Sequence, residues 1–310
     1  MSAPIVKTAA GDVELEERGN GTPVVIVHGS PGGIDAGRAM GRFLPEDRFR
    51  VITLSRPGYL GTPLDADDAS IDHEADLLAA VLDSLGVDRA GVFAWSGGGP
   101  SAYRLAVRHP ERVASLIALA AVSARYEAPA PSASDRFLFG TTAGQWLIGF
   151  LARRAPGQVV EGALSGEGSL RGDELKTLTA GVMADPEQRA AVLAFSATVG
   201  TNGPRKAGWD NDLANFAAID SLELDRVRCP VLLIHGDADT DVAIDFSHSA
   251  HTVLPESELI VMNHGTHLAF YADPNAAGVQ EKARAFLAAN SVSSTEACTY
   301  RSGSRPCRVR

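Results

Sequence analysis

Val92-Phe93-Ala94-Trp95-Ser96-Gly97-Gly98-Gly99-Pro100 decides how this chain is read. The apolar run from Gly91 to Ala94 predicts a strand, and Ser101 to Arg108 predicts a helix. Between them a serine is followed at once by glycines. A strand that reverses sharply into a helix holds one side chain clear of the sheet, and so sharp a turn is strained. Strand and helix then approach closely, so small residues are needed two places before and two after the central one. Here these are Ala94 and Gly98, a G-x-S-x-G pattern with alanine in the first place. A serine–glycine turn without chemistry has the same local appearance, so the remaining chain decides.

Outward from this turn, short apolar runs alternate with helical patterns. Val13 to Arg18 alternates apolar and polar residues, as an antiparallel edge strand does. Pro23 to Val27, Arg50 to Leu54 and Val113 to Val122 read as strands, the first as one buried on both faces. Ala36 to Phe43 and Ile71 to Leu85 carry helical spacing. The rhythm breaks after Val122 and resumes at Pro230 to Ile234, with a helix over Ile244 to Val253, a strand over Glu258 to Met262 and a last helix over Asn275 to Ala289. An unstructured loop of that length is implausible, so the interruption reads as an inserted helical subdomain. The expected division is a core of residues 1–122 and 227–290, a helical cap of residues 123–226, and a disordered, Ser/Thr/Arg-rich tail at 291–310. The aromatics of the insertion, Trp146, Phe150, Phe195 and Trp209 among them, are expected to pack its own core.

Composition excludes several classes. With 45% hydrophobic and 21% charged residues the chain can build a large core, and a net charge of −10 argues against a nucleic-acid or acidic-membrane surface. Three cysteines make no disulfide framework, and no signal peptide or membrane-length apolar run stands out, so a cytoplasmic setting is expected.

Three loops fall at the C-terminal ends of strands, where open α/β sheets bind their ligands. One carries Ser96. The second, His235-Gly236-Asp237-Ala238-Asp239-Thr240-Asp241, offers three carboxylates, and the third, Asn263-His264-Gly265-Thr266-His267, offers two histidines. A serine hydroxyl is a weak nucleophile until a base takes its proton, and that base needs a carboxylate to fix its tautomer. The backbone N–H of Gly97, at the start of the elbow helix, suits a developing oxyanion.

In its order Ser, Asp, His the chain resembles the α/β-hydrolase superfamily over roughly residues 12–290. The resemblance is carried by His28-Gly29-x-Pro31-Gly32, Arg56-Pro57-Gly58-x-x-Gly61, Trp95-Ser96-Gly97-Gly98, Gly236-x-x-Asp239 and a histidine shortly before Pro274. It implies a mostly parallel, doubly wound sheet with an inserted helical cap. It also implies Ser96 as nucleophile, His267 as base, Asp239 as orienting acid, and the Ser30 amide as second oxyanion donor. Asp237 and Asp241 are then loop or capping carboxylates, and His264 a loop residue. His28 and His235 are expected to hold their loops by hydrogen bonds.

No cofactor is expected. His248 with His251, and His264 with His267, have ligand-like spacing, but no carboxylate motif joins them; an Asp-x-Asp-x-Asp calcium loop lacks its glycine, since Val242 stands there. Ser96 separates the chain from the epoxide hydrolases and haloalkane dehalogenases, whose similar His-Gly-x-Pro-Gly loops accompany an aspartate nucleophile. The elbow also differs from that of proline iminopeptidases. The implied activity is hydrolysis of a small, partly apolar ester, lactone or thioester through an acyl-enzyme. A carbon–carbon-bond hydrolase, a cofactor-free perhydrolase and a non-catalytic binder on the same fold stay open.

Overall fold

A computed structural model describes residues 3–291; the anticipated tail, with Cys298 and Cys307, lies outside the described residues but for its first position. Eight strands form one sheet in the order β1-β2-β4-β3-β5-β6-β7-β8. They are β1 (Ile5–Thr8), β2 (Gly11–Arg18), β3 (Thr22–Val27), β4 (Phe49–Leu54), β5 (Ala90–Trp95), β6 (Val113–Leu119), β7 (Val231–Gly236) and β8 (Ser257–Met262). β1 and β2 run antiparallel to their neighbours, and every pairing from β4 to β8 is parallel. The sheet is therefore the mostly parallel α/β sheet expected.

One assignment at its edge changes. β2, read as an edge strand, is flanked by β1, with Val6 opposite Val13. The four residues of β1 are too few to establish a period. At the far end, β6 stops at Leu119, short of the Val122 expected, and Ala120 takes a positive φ of 41° where the chain leaves the sheet.

Side chains of the central strands alternate between two faces. Val25, Val27, Val92 and Ala94 pack with α2 (Ile71–Ser84) and α3 (Gly99–Arg108). Val24, Ile26, Phe93 and Trp95 pack on the opposite face with α1 (Ile34–Met40) and α12 (Ala276–Ala289). β3 and β5 are consequently apolar along their buried length, as parallel strands covered on both sides must be.

Between β6 and β7 stand six helices: α4 (Ala133–Leu138), α5 (Thr142–Arg154), α6 (Pro156–Gly166), α7 (Gly172–Ala184), α8 (Pro186–Ser196) and α9 (Lys206–Ala218). Their starts are written in local chemistry: Ser132 and Thr141 cap α4 and α5 with side-chain oxygens, and Asp185 caps α8 ahead of Pro186. Buried residues of α6 to α8, such as Val160, Leu164, Val182 and Phe195, join the same cluster as Phe93 and Trp95. Two of the insertion's aromatics depart from expectation: Trp146 is 64% exposed and stacks on Phe150, itself 37% exposed. Phe195 packs among α6 to α8 as expected, and also meets Trp95 edge-on with ring centroids 4.8 Å apart. Two more helices, α10 (Asp245–Val253) and α11 (Ala269–Ala272), complete the described residues, among which no helix is long and apolar enough to cross a membrane.

Candidate active site

The turn after β5 has the expected geometry. Ser96 sits at φ 53°, in the left-handed region that a side chain other than glycine rarely occupies. Gly98 is forced by proximity: a Cβ there would lie 2.5 Å from the Val27 carbonyl oxygen. The close crossing of β3 under this turn thus fixes glycine at the position the sequence pattern names. Ser96 is buried, 6% exposed, and its carbonyl accepts the Val122 amide at 3.1 Å.

The loops after β7 and β8 bring the acid and base together. Asp239 Oδ2 lies 2.6 Å from His267 Nδ1, and both residues are buried. The other carboxylate oxygen, Oδ1, accepts the amides of Asp241 and Val242 at 2.9 and 3.0 Å. The carboxylate is therefore locked by its own loop while it orients the imidazole. Burial alone would raise the Asp239 pKa, but the facing His267 and His235 hold it well below the usual carboxylate range. Burial would likewise lower that of His267; the Asp239 carboxylate outweighs it, Asp241 and Glu167 add to the effect, and the imidazole is pushed up to about 10.

The third link is indirect. Among the described residues Ser96 Oγ has no hydrogen-bond partner, so no bond to His267 is made. The imidazole instead stacks on the ring of Trp95, the residue beside Ser96, at 5.3 Å and 27°. Of the proposed oxyanion donors, Gly97 follows Ser96 directly, and the Ser30 side chain lies against it: a Cβ on Gly97 would meet Ser30 Oγ at 2.2 Å. The Ser30 amide donates to no acceptor among the described residues.

Residues 22–274 match the family described as the alpha/beta hydrolase fold. The chain belongs to the α/β-hydrolase family. It is 28% identical to the pimeloyl-[acyl-carrier protein] methyl ester esterase of Aromatoleum aromaticum over 257 residues, 82% of this chain and 94% of that protein. It is 26% identical to a 2-hydroxymuconate semialdehyde hydrolase of Pseudomonas putida over 256 residues, 82% and 83% of the two chains. Among solved structures, an alpha/beta hydrolase fold protein from Nakamurella multipartita superposes with a TM-score of 0.90 at 44% identity, over 93% of this chain and 99% of that one. Hydrolase chemistry follows from this membership.

Other sequence-marked residues of this α/β-hydrolase take supporting places. His28 accepts the Arg56 amide at Nε2, 3.0 Å, and its Nδ1 meets the Gly29 carbonyl at 2.7 Å. His235 bridges Ser247 Oγ and the Val242 carbonyl at 2.7 and 2.8 Å, tying α10 to the acid loop. His264, at φ 57°, is exposed, as is Asp237.

Asp241, read from the sequence as a loop or capping carboxylate, stands beside the imidazole, and Glu167 carries no sequence signal as a site residue. Asp241 Oδ2 stands 3.5 Å from His267 Nε2. Glu167, just past α6, offers its backbone carbonyl to the His267 amide at 2.9 Å, and the next residues continue the contact: Ser169 N–H donates to the Ala238 carbonyl at 2.8 Å, and Gly168 bridges to Asp239. The insertion is thereby fastened to the acid and base loops. Burial, then the neighbouring Asp241, pushes the Glu167 carboxyl up to about 7. Ligand-type atoms of Glu167, Asp241 and His267 lie within 4.8 Å of one another. A cation held there would occupy the imidazole nitrogen that a general base requires.

Proposed function

We propose that the protein is a serine hydrolase of small, partly apolar esters, lactones or thioesters. Ser96 is the nucleophile, His267 the base that takes its proton, and Asp239 the acid that fixes the imidazole tautomer and stabilises the imidazolium. The tetrahedral oxyanion is received by the amides of Ser30 and Gly97, at the N-terminal side of α3. Attack forms an acyl-enzyme and releases the alcohol or thiol; His267 then activates water to free the acid. The inserted helices act as a cap over this site.

The observation that carries this reading is the buried 2.6 Å pairing of His267 with Asp239, with the imidazole face laid on Trp95 next to the left-handed Ser96. The remaining bond, from Ser96 Oγ to His267, is expected to form in the substrate complex, where catalytic hydrogen bonds tighten. Trp95 Nε1 is buried without a hydrogen-bond partner among the described residues.

Charge guides the choice within the class. Glu167 and Asp241 surround the Nε2 side of His267 with carboxylates. That field suits a neutral ester or lactone better than an anionic dienoate of the kind named for several relatives. Purified protein should be screened with p-nitrophenyl esters of increasing chain length, lactones and a ring-cleavage diketone, each beside Ser96→Ala. The proposal expects ester or lactone turnover that falls by several powers of ten on this substitution, because triad members act as a unit. Turnover of the diketone alone would select the carbon–carbon-bond reading. Equal turnover by Ser96→Ala would remove Ser96 from the mechanism.

A further inference from the structure

Ser30 is held in an unusual way for a residue expected to present a backbone amide to the oxyanion. Neither its N–H nor its C=O is engaged by backbone among the described residues. The flanking positions are anchored, with His28 bonded to Gly29 and Arg56, and Gly32 carbonyl bound by Arg205. Ser30 itself is fixed through its side chain. Its hydroxyl donates to Asp212 Oδ2 and accepts from Arg56 Nη1 at 3.1 Å.

Asp212 belongs to α9, on the far side of the insertion, 182 residues along the chain from Ser30. It is buried, 3% exposed, and saturated with donors: Tyr59 OH at 2.6 Å, and Arg56 Nη1 and Nη2 at 2.9 and 2.8 Å. Arg56, 1% exposed, completes its fork on Glu74 at 2.6 and 3.2 Å. Two carboxylates share one guanidinium, and the hydroxyls of Ser30 and Tyr59 supply the remaining hydrogen bonds. A lone buried carboxylate would be costly, and Asp212 is compensated chiefly by the two Arg56 nitrogens and the Tyr59 hydroxyl, with the Ser30 hydroxyl as the fourth donor. α9 meets the sheet side here by close approach, with Gly208 amide bonded to Gly58 carbonyl at 2.9 Å.

We infer that Asp212 is a positioning residue for the reaction: docking of the cap through α9 clamps the Ser30 hydroxyl and so sets the Ser30 amide that receives the oxyanion. This rests on the reading of Ser30 as an oxyanion donor. The cap then does more than enclose substrate, because the oxyanion hole is complete only when α9 is seated. An oxyanion donor acts on charge that exists only in the transition state. Loosening it therefore lowers kcat and leaves KM nearly unchanged.

The test uses the full-length protein on its best p-nitrophenyl ester, with Ser30→Ala, Asp212→Ala and the double variant, beside Ser96→Ala. Ser30→Ala removes the atom that Asp212 grips but leaves Arg56, Glu74, Tyr59 and Asp212 together, so it stands even where Asp212→Ala fails to fold. A trifluoromethyl ketone, which places an oxyanion on the serine adduct, reports the hole separately from turnover. Ser30→Ala is expected to lower kcat and ketone affinity each by about tenfold or more, with KM within about threefold. Folded Asp212→Ala should do the same, and the double variant should lose no more than the worse single one, because both act through one contact. The clamp is overturned if Ser30→Ala keeps wild-type kcat and ketone affinity, if the loss falls on KM instead, or if the two single losses add. Should Ser96→Ala turn over like the wild type, the hydrolase assignment of Ser96 fails first. If Ser96→Ala is inactive while Ser30→Ala is unimpaired, only the clamp fails.

Discussion

His267 Nε2 and Asp241 Oδ2 stand 3.5 Å apart, on the side of the imidazole opposite its 2.6 Å contact with Asp239. A histidine between two carboxylates, with Glu167 beside the second, holds its proton more tightly than one in an ordinary triad. A general base must be neutral to accept the serine proton. The same carboxylates that steady the imidazole therefore oppose its deprotonation.

The expected consequence is activity that rises toward alkaline pH. With His267 as the proposed base and its pKa raised to about 10, kcat/KM should climb with pH through the range above neutrality. Removing one carboxylate from the far side lowers the pKa. Glu167→Gln should move the ascending limb toward acid by about one pH unit. A kcat/KM profile measured on both proteins from pH 5 to about 10.5 checks this; a limb centred near pH 6.5 in the wild type, unmoved by the substitution, contradicts it.

Asp239→Asn isolates orientation from folding. Asn can keep accepting the Asp241 and Val242 amides through one oxygen, since those bonds at 2.9 and 3.0 Å use Oδ1. Its amide group would then face His267 Nδ1 and stabilise the wrong tautomer. The expected result is a folded protein whose kcat drops by about 10⁴. Near-normal kcat would place the orienting acid elsewhere, and Asp241→Asn is the variant that would then be made.

Gly98→Ala tests the elbow as architecture. The added methyl would sit 2.5 Å from the Val27 carbonyl oxygen and 2.7 Å from that of His28, backbone atoms at the C-terminal end of β3 and just beyond it. Neither can move without separating β3 from α3. Chemical denaturation should show a loss of about 3 kcal/mol or more, and a change under about 0.5 kcal/mol would mean that the turn is looser than this.

The parts of the site that depend on local chemistry are readable along the chain. A left-handed serine flanked by small residues, a glycine-rich loop after a buried strand, and carboxylate or histidine loops at strand ends each leave a short signature, and Ser96, Ser30, Asp239 and His267 stand in such places. His267 could be preferred to His264 by resemblance, and the exposure of His264 against the burial of His267 agrees. Glu167 and Asp212 leave no such mark. Each is a single carboxylate in a helical stretch, and it acquires meaning only when α6 or α9 is laid against a loop more than fifty residues away in sequence. Phe195 packs among its own helices as its spacing suggests, but that spacing does not tell that the ring of Trp95 is its other neighbour. β1 escaped because pairing with β2, and not any period of its own, makes it a strand.

Covalent labelling tests the central claim most directly. The protein is incubated with a fluorophosphonate at the pH of best ester turnover, digested, and mapped by peptide mass spectrometry. The account predicts one stoichiometric adduct on Ser96, slowed by competing ester and absent from His267→Ala over the same interval. Full ester hydrolysis by a protein that acquires no adduct at Ser96, or an adduct on another serine with Ser96 free, would contradict it.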